Sequence, residues 1–194
     1  MRGRVVLLLV LALALVPGGA LAQAPKGAPP DGIRARTAGH AGQSSPLVGR
    51  CLLFDDLTAG SVLTLYRGVQ FANSDGPLRV SADYPGPPFT APNSILPDNY
   101  SAAGNHTLAK PPLLVRGAGL TMGDYDSDQD TIYLVAYDTS GGVVGSDSAV
   151  LPASLNGGAS LSVLSSTANI AYIDFWGVGV NNNSVFFDNV CFGR

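Results

Sequence analysis

Glutamate is absent and lysine nearly so. All 14 acidic residues are aspartate, and lysine occurs only as Lys26 and Lys110. Glu and Lys favour helix interiors, whereas Asp favours caps and turns. With 24 Gly and 14 Pro in 194 residues, this composition excludes a fold built on long helices. Histidine is equally scarce: only His40 and His106 occur, and His106 alone falls in the folded part. A zinc centre needs several His or Cys ligands, so none is expected. No Gly-x-Ser-x-Gly elbow occurs, which removes the usual start of a serine hydrolase site. Basic residues are too few for a polyanion. From Leu47 onward 13 Asp face 6 Lys plus Arg, a net of −7, and such a domain repels phosphate backbones. Nucleic acid is not an expected partner.

Long apolar runs are missing except at the N-terminus. There Arg2 and Arg4 precede the twelve-residue stretch Val5–Val16, and Ala20-Leu21-Ala22 follows. Twelve helical residues span about 18 Å, short of a ~30 Å hydrocarbon core. The layout is that of a signal peptide cleaved between Ala22 and Gln23. It predicts a secreted or periplasmic product without stable membrane insertion. No hydrophobic or basic tail follows Cys191-Phe192-Gly193-Arg194, which predicts release rather than anchoring. Residues 23–46 are rich in Gly, Ala, Pro and Ser and read as a flexible linker. The domain is expected over 47–194. Cys51 and Cys191 are the only cysteines. In an exported chain an even count points to a disulfide, here tying the first strand of the domain to the last.

Within the domain, short apolar runs alternate with turn residues. Cys51–Phe54, Val69–Ala72, Leu78–Ala82, Leu113–Arg116, Gly119–Met122, Leu161–Leu164, Asn169–Trp176 and Ser184–Phe192 read as strands. Thr131–Asp138 and Val143–Leu151 read as a hairpin around Gly141-Gly142. Pro85–Pro97 carries too many prolines for a central strand and reads as a loop. The pattern predicts an all-β antiparallel sandwich of jelly-roll type, with its first and last strands paired. Phe187-Asp188-Asn189-Val190 places two polar residues between two apolar ones. Burying both Phe187 and Val190 requires a β-bulge there. Phe54-Asp55-Asp56-Leu57 has the same form.

Three stretches together carry a resemblance: FDDL with YRGVQF (54–57 and 66–71), DTIYLVAYDTSGGVVGS (130–146) and SVFFDNVCF (184–192). They resemble secreted bacterial β-jelly-roll domains of exported proteins with C-terminal sorting signals. More distantly they resemble galactose-binding-like and carbohydrate-binding-module sandwiches. The sorting tail of the first group does not occur here. In carbohydrate-binding jelly rolls a structural calcium ion often sits where first and last strands meet. Carried over, the resemblance implies Asp188 as a ligand with Asp55 or Asp56 beside it. The alternative is that these carboxylates satisfy bulge amides. A second acidic run, Asp124, Asp126, Asp128 and Asp130, could also take calcium. It is not an EF-hand, because Gln129 stands where Gly is needed and Val135 where Glu is needed.

The strand Asn169–Trp176 suggests a ligand face. Ala171, Ile173 and Phe175 alternate with Tyr172, Asp174 and Trp176. Two aromatics flanking a carboxylate suit a sugar, whose C–H faces stack on rings while polar groups take its hydroxyls. Tyr133 and Tyr137 on the neighbouring run extend the strip. The competing reading places Trp176 in the core. The function expected is a non-catalytic module binding a polysaccharide or cell-surface glycan. The alternative is a structural or adhesive domain that contacts protein or matrix without a small ligand. An enzyme is not expected. A glycosidase needs two facing carboxylates, and the sequence identifies no partner for Asp174.

Overall fold

The computed structural model describes residues 36–37, 49–82, 88–98, 105–124, 129–153, 158–179 and 185–194. The signal peptide and nearly all of the linker lie outside these residues. The elements in chain order are β1 (Arg36–Thr37), β2 (Arg50–Leu52), β3 (Val62–Leu63), β4 (Leu65–Tyr66), β5 (Val69–Asn73), β6 (Leu78–Ser81) and β7 (Ser94–Pro97). They continue with β8 (Thr107–Lys110), β9 (Gly117–Asp124), β10 (Thr131–Tyr137), β11 (Val143–Val150), β12 (Gly158–Leu164), β13 (Tyr172–Val178) and β14 (Val185–Gly193). The described residues contain no helix, as the composition requires.

The strands form two sheets that pack face to face. Sheet A has the order β1-β11-β10-β13-β8-β5-β4, and sheet B has the order β12-β9-β14-β7-β6-β3, with β2 added to β14. All ladders are antiparallel except β1 with β11. That exception is a finding about the linker: Arg36 and Thr37 add a short parallel rung at Ala149 and Val150 on the edge of sheet A.

Alternation within each strand builds the core. Ile132, Leu134 and Ala136 of β10, Ile173 and Phe175 of β13, Ala109 of β8 and Phe71 of β5 point inward from sheet A. They meet Leu120, Met122, Leu161, Ile95 and Phe187 from sheet B. Phe187 is the hub of an aromatic group, with ring centroids 4.8 Å from Phe175, 6.1 Å from Phe54 and 6.3 Å from Phe71.

β2 and β14 pair antiparallel with Cys51 opposite Cys191, and the two are disulfide-bonded. The bulge in β14 lies at the polar pair: register with β9 shifts between Asp188 and Cys191, and Asn189 takes φ +52°. Both Phe187 and Val190 are thereby buried. The earlier motif differs. Phe54–Leu57 is a turn closed by Leu57 N–H donating to the Phe54 carbonyl at 3.0 Å, so β2 ends at Leu52.

Two other expectations are corrected. Ser94–Pro97, inside the proline-rich stretch, is β7, pairing with β6 and touching β14 at Ile95. Its prolines spare the ladder because Pro92 precedes the strand and Pro97 ends it. Leu113–Arg116 is not a strand; only Val115 bridges, to Ile170. Pro111 and Pro112 remove two backbone donors just before it.

The disulfide closes a loop spanning 140 residues. In the chain-entropy account that lowers the freedom of the unfolded chain by about 5 kcal/mol. Replacing both cysteines by alanine should lower the melting temperature by many degrees, and thiol titration of the denatured native protein should find none before reduction and two after. Free thiols in the native protein would contradict the pairing.

Candidate functional site

The outer face of sheet A carries the predicted strip. β10 and β13 pair in unbroken register, which places Tyr133 opposite Trp176, Val135 opposite Asp174 and Tyr137 opposite Tyr172. β8 continues each line on one side and β11 on the other. Thus three rows cross the strands on this face. The first runs Ser148, Tyr133, Trp176, His106. The second runs Ser146, Val135, Asp174, Leu108, Ala72. The third runs Val143, Tyr137, Tyr172, Lys110, Gln70, Leu65. The five residues expected to bind ligand, Tyr133, Tyr137, Tyr172, Asp174 and Trp176, therefore share one surface.

The rings are not laid flat on that surface; they stack on one another. Trp176 lies between His106, at a centroid distance of 4.3 Å and 23°, and Tyr133, at 5.1 Å and 20°. Because β13 runs between β8 and β10, these neighbours cover opposite faces of the indole. Trp176 is only 4% exposed. Tyr137 and Tyr172 stack at 4.9 Å and 11°. Val135, Tyr137 and Trp176 form a buried cluster separate from the inter-sheet core, with Tyr133 and Tyr172 half-buried at its margins. Trp176 is thus neither in the main core nor an open platform. The ring surface that remains accessible belongs to Tyr133 and Tyr172.

Asp174 is 1% exposed. Both its oxygens lie within 3.0 Å of His106 Nδ1. Burial pushes its pKa up, against the pull of the imidazole. The Tyr137 phenol is pushed up to about 12, first by burial and then by the Asp174 charge. Tyr172 is pushed up for the same two reasons, with Asp138 adding to them. His106 was invisible as a site residue in the sequence, since 68 positions separate it from Asp174. Ser148 lies three strands from His106, roughly 14 Å at the usual strand spacing, with Tyr133 and Trp176 between them.

Asp188, the first of the carboxylates expected to bind metal, lies on the other sheet. Asp188 follows Phe186 by two residues on the outer face of sheet B, where Phe186 packs on Phe89 at 4.7 Å. Asp188 is fully buried and accepts bonds from Thr90 N and Thr90 Oγ1, both 2.8 Å, and from Asn189 N at 2.6 Å. Burial raises its pKa to about 6 despite these donors, and the nearby Asp55 charge pushes the same way. Asp55 Oδ1 is buried without a hydrogen bond. Asp56 is turned elsewhere: it accepts from Tyr66 Oη and, at 2.9 Å, from Arg67. In the second acidic run, Asp124 and Asp130 are buried, while Asp126 and Asp128 lie outside the described residues. Among the described residues no three His, Cys, Asp or Glu side chains gather as a metal cluster.

No family model and no curated protein sequence matches the chain. Solved structures match at low identity. The arabinose-bound α-L-arabinofuranosidase MgGH51 is 14% identical with a TM-score of 0.53, over 83% of this chain and 28% of that one. The chain thus spans little more than a quarter of that enzyme's length. The C-terminal family 22 carbohydrate-binding module of Clostridium thermocellum Xyn10B is 14% identical at 0.43, over 70% and 93%. The K2 adhesin domain of Lys-gingipain is 12% identical at 0.45, over 75% and 99%. What the chain shares with the arabinofuranosidase structure is the fold alone, an all-β sandwich.

The covered indole makes a direct prediction. Trp176 is the only tryptophan, so its emission should be blue-shifted and poorly quenched by iodide. Trp176→Ala should cost about 3–5 kcal/mol, as for other large buried rings. Red-shifted, readily quenched emission would mean that the indole stands open.

Proposed function

We propose that the chain is a secreted, non-catalytic module that binds a glycan or similar surface polymer on the outer face of sheet A. The observation that carries this reading is an aromatic cluster built on the outside of the sandwich. Four aromatic rings, Val135 and a buried Asp–His pair occupy a face that an ordinary sandwich would leave polar. Tyr133 and Tyr172 form the contact surface. Trp176, Tyr137 and the Asp174–His106 pair hold them in place. Such support keeps the rings rigid, so that little conformational freedom is lost when a sugar docks. The absence of catalysis is part of the proposal. It is supported by the fact that Asp174 faces an imidazole rather than a second carboxylate, and that Asp188 is sealed from solvent.

The second reading, an adhesive or structural domain without a small ligand, is favoured by one observation: Val135 and Trp176 leave no open slot over the middle of the face. Binding of a polysaccharide array by wild type separates the two. Tyr133→Ala with Tyr172→Ala should lower glycan retention at least tenfold while the fold survives. Retention of no glycan by a folded wild type would favour the adhesive reading.

We further propose that Asp188 and Asp55 hold a structural calcium ion beneath the Phe89–Thr90 segment. A buried carboxylate, Asp188, and a half-buried one, Asp55, whose Oδ1 is buried without a hydrogen bond, fit a hard divalent cation, with backbone carbonyls completing the shell. Chelator should then lower the melting temperature, calcium should restore it, and Asp188→Asn should abolish the response. An unchanged melting temperature would mean that the carboxylates serve only the turn and bulge amides.

A further inference from the structure

Lys110 occupies a singular place. It is one of two lysines in the sequence and the last residue of β8. Pro111 follows, so the strand stops there and the backbone is held. Gln70 pairs with Lys110 on one side, and on the other the register that pairs Ile173 with Ala109, continued by one residue, sets Tyr172 beside it. Tyr172 has one ring face covered by Tyr137, and its other face turns toward β8. Lys110 and Gln70 are both exposed. No ion pair of the described residues uses the Lys110 ammonium. Along the three rows Lys110 is the one exposed charge, because Asp174 is buried against His106.

We infer that Tyr172, Lys110 and Gln70 form a subsite for a carboxylate-bearing sugar, so that the polymer bound is a polysaccharide carrying uronate residues. This rests on the glycan-binding reading above. The row crosses the strands at about 4.8 Å per strand, which lays a ring face, an ammonium and an amide in line for one extended chain. The ring takes the apolar face of a sugar. Lys110 takes the carboxylate, and Gln70 takes a neighbouring hydroxyl. The overall acidity of the domain, a net −7 from Leu47 onward, does not oppose this. Charges farther than about 8 Å are screened at physiological salt, whereas a direct contact is not. The same acidity disfavours a polymer charged at every unit, for which one lysine is too little. The fit is to a chain with carboxylates at intervals.

The test uses an array of glucuronoxylan, alginate and polygalacturonate, each printed in native form and with its carboxyl groups reduced to alcohols, probed with the full mature protein. Binding should be strongest to glucuronoxylan, should fall about tenfold on carboxyl reduction, and should fall equally with Lys110→Gln. Lys110→Arg should keep the preference. Added salt should weaken the native form only. Equal binding of native and reduced polymers, or an unchanged Lys110→Gln, would overturn the subsite while leaving glycan binding intact. Binding to none of these, nor to neutral polysaccharides printed beside them, would overturn both.

Discussion

The seven-residue register between β10 and β13 is the constraint on which both faces of sheet A depend. It sets Ile132, Leu134 and Ala136 against Ile173 and Phe175 on the inner side. By the same alternation it sets Tyr133 against Trp176 and Tyr137 against Tyr172 on the outer side. A slip of one residue would exchange the two faces completely. Core and candidate site are therefore not separate features, and the apolar energy that holds the sandwich closed also fixes where the outer rings stand.

That coupling explains the stacking. A lone aromatic on an outer face would lie across the sheet. Here three rings from three adjacent strands compete for one line, at a strand spacing of about 4.8 Å, and they stand and stack instead. The Asp174–His106 pair completes the line. It anchors the imidazole against the indole, at 4.3 Å, while filling the row beneath with a bonded rather than an orphaned carboxylate. The outcome is a rigid ridge whose middle ring is structural and whose margins face solvent. Gly141 borders the same ridge, since a side chain there would meet the Tyr172 hydroxyl 3.8 Å away.

Much of this was legible from local pattern. The alternation in Asn169–Trp176 assigned Tyr172, Asp174 and Trp176 to one face, and the alternation in Thr131–Asp138 put Tyr133 and Tyr137 on one face of the run that pairs with it. The polar pair in Phe187–Val190 announced its bulge, because no regular strand buries both ends. Other features were not legible, for physical reasons. His106 reaches Asp174 across 68 residues of chain, and nothing local marks such a pairing. Periodicity places a ring on a face but does not say whether that ring lies flat or stacks, and so it could not decide what part of Trp176 a ligand meets. β7 hides among prolines, of which Pro92 precedes its ladder and Pro97 only ends it. Asp56 and Asp55 look equivalent in sequence, yet the turn after β2 sends one to Tyr66 and Arg67 and leaves the other half-buried, with its Oδ1 lacking a hydrogen bond.

The central claim is that the Tyr133–Tyr172 margin of the outer face meets the ligand while the opposite side of the sandwich does not. NMR of the mature protein titrated with glucuronoxylan fragments tests it most directly. The account predicts that ring resonances of Tyr133 and Tyr172 and the amides around Lys110 shift together, with those of β14 and the Phe89–Thr90 segment unmoved. Shifts confined to the β14 side, or spread evenly over both sheets, would contradict it.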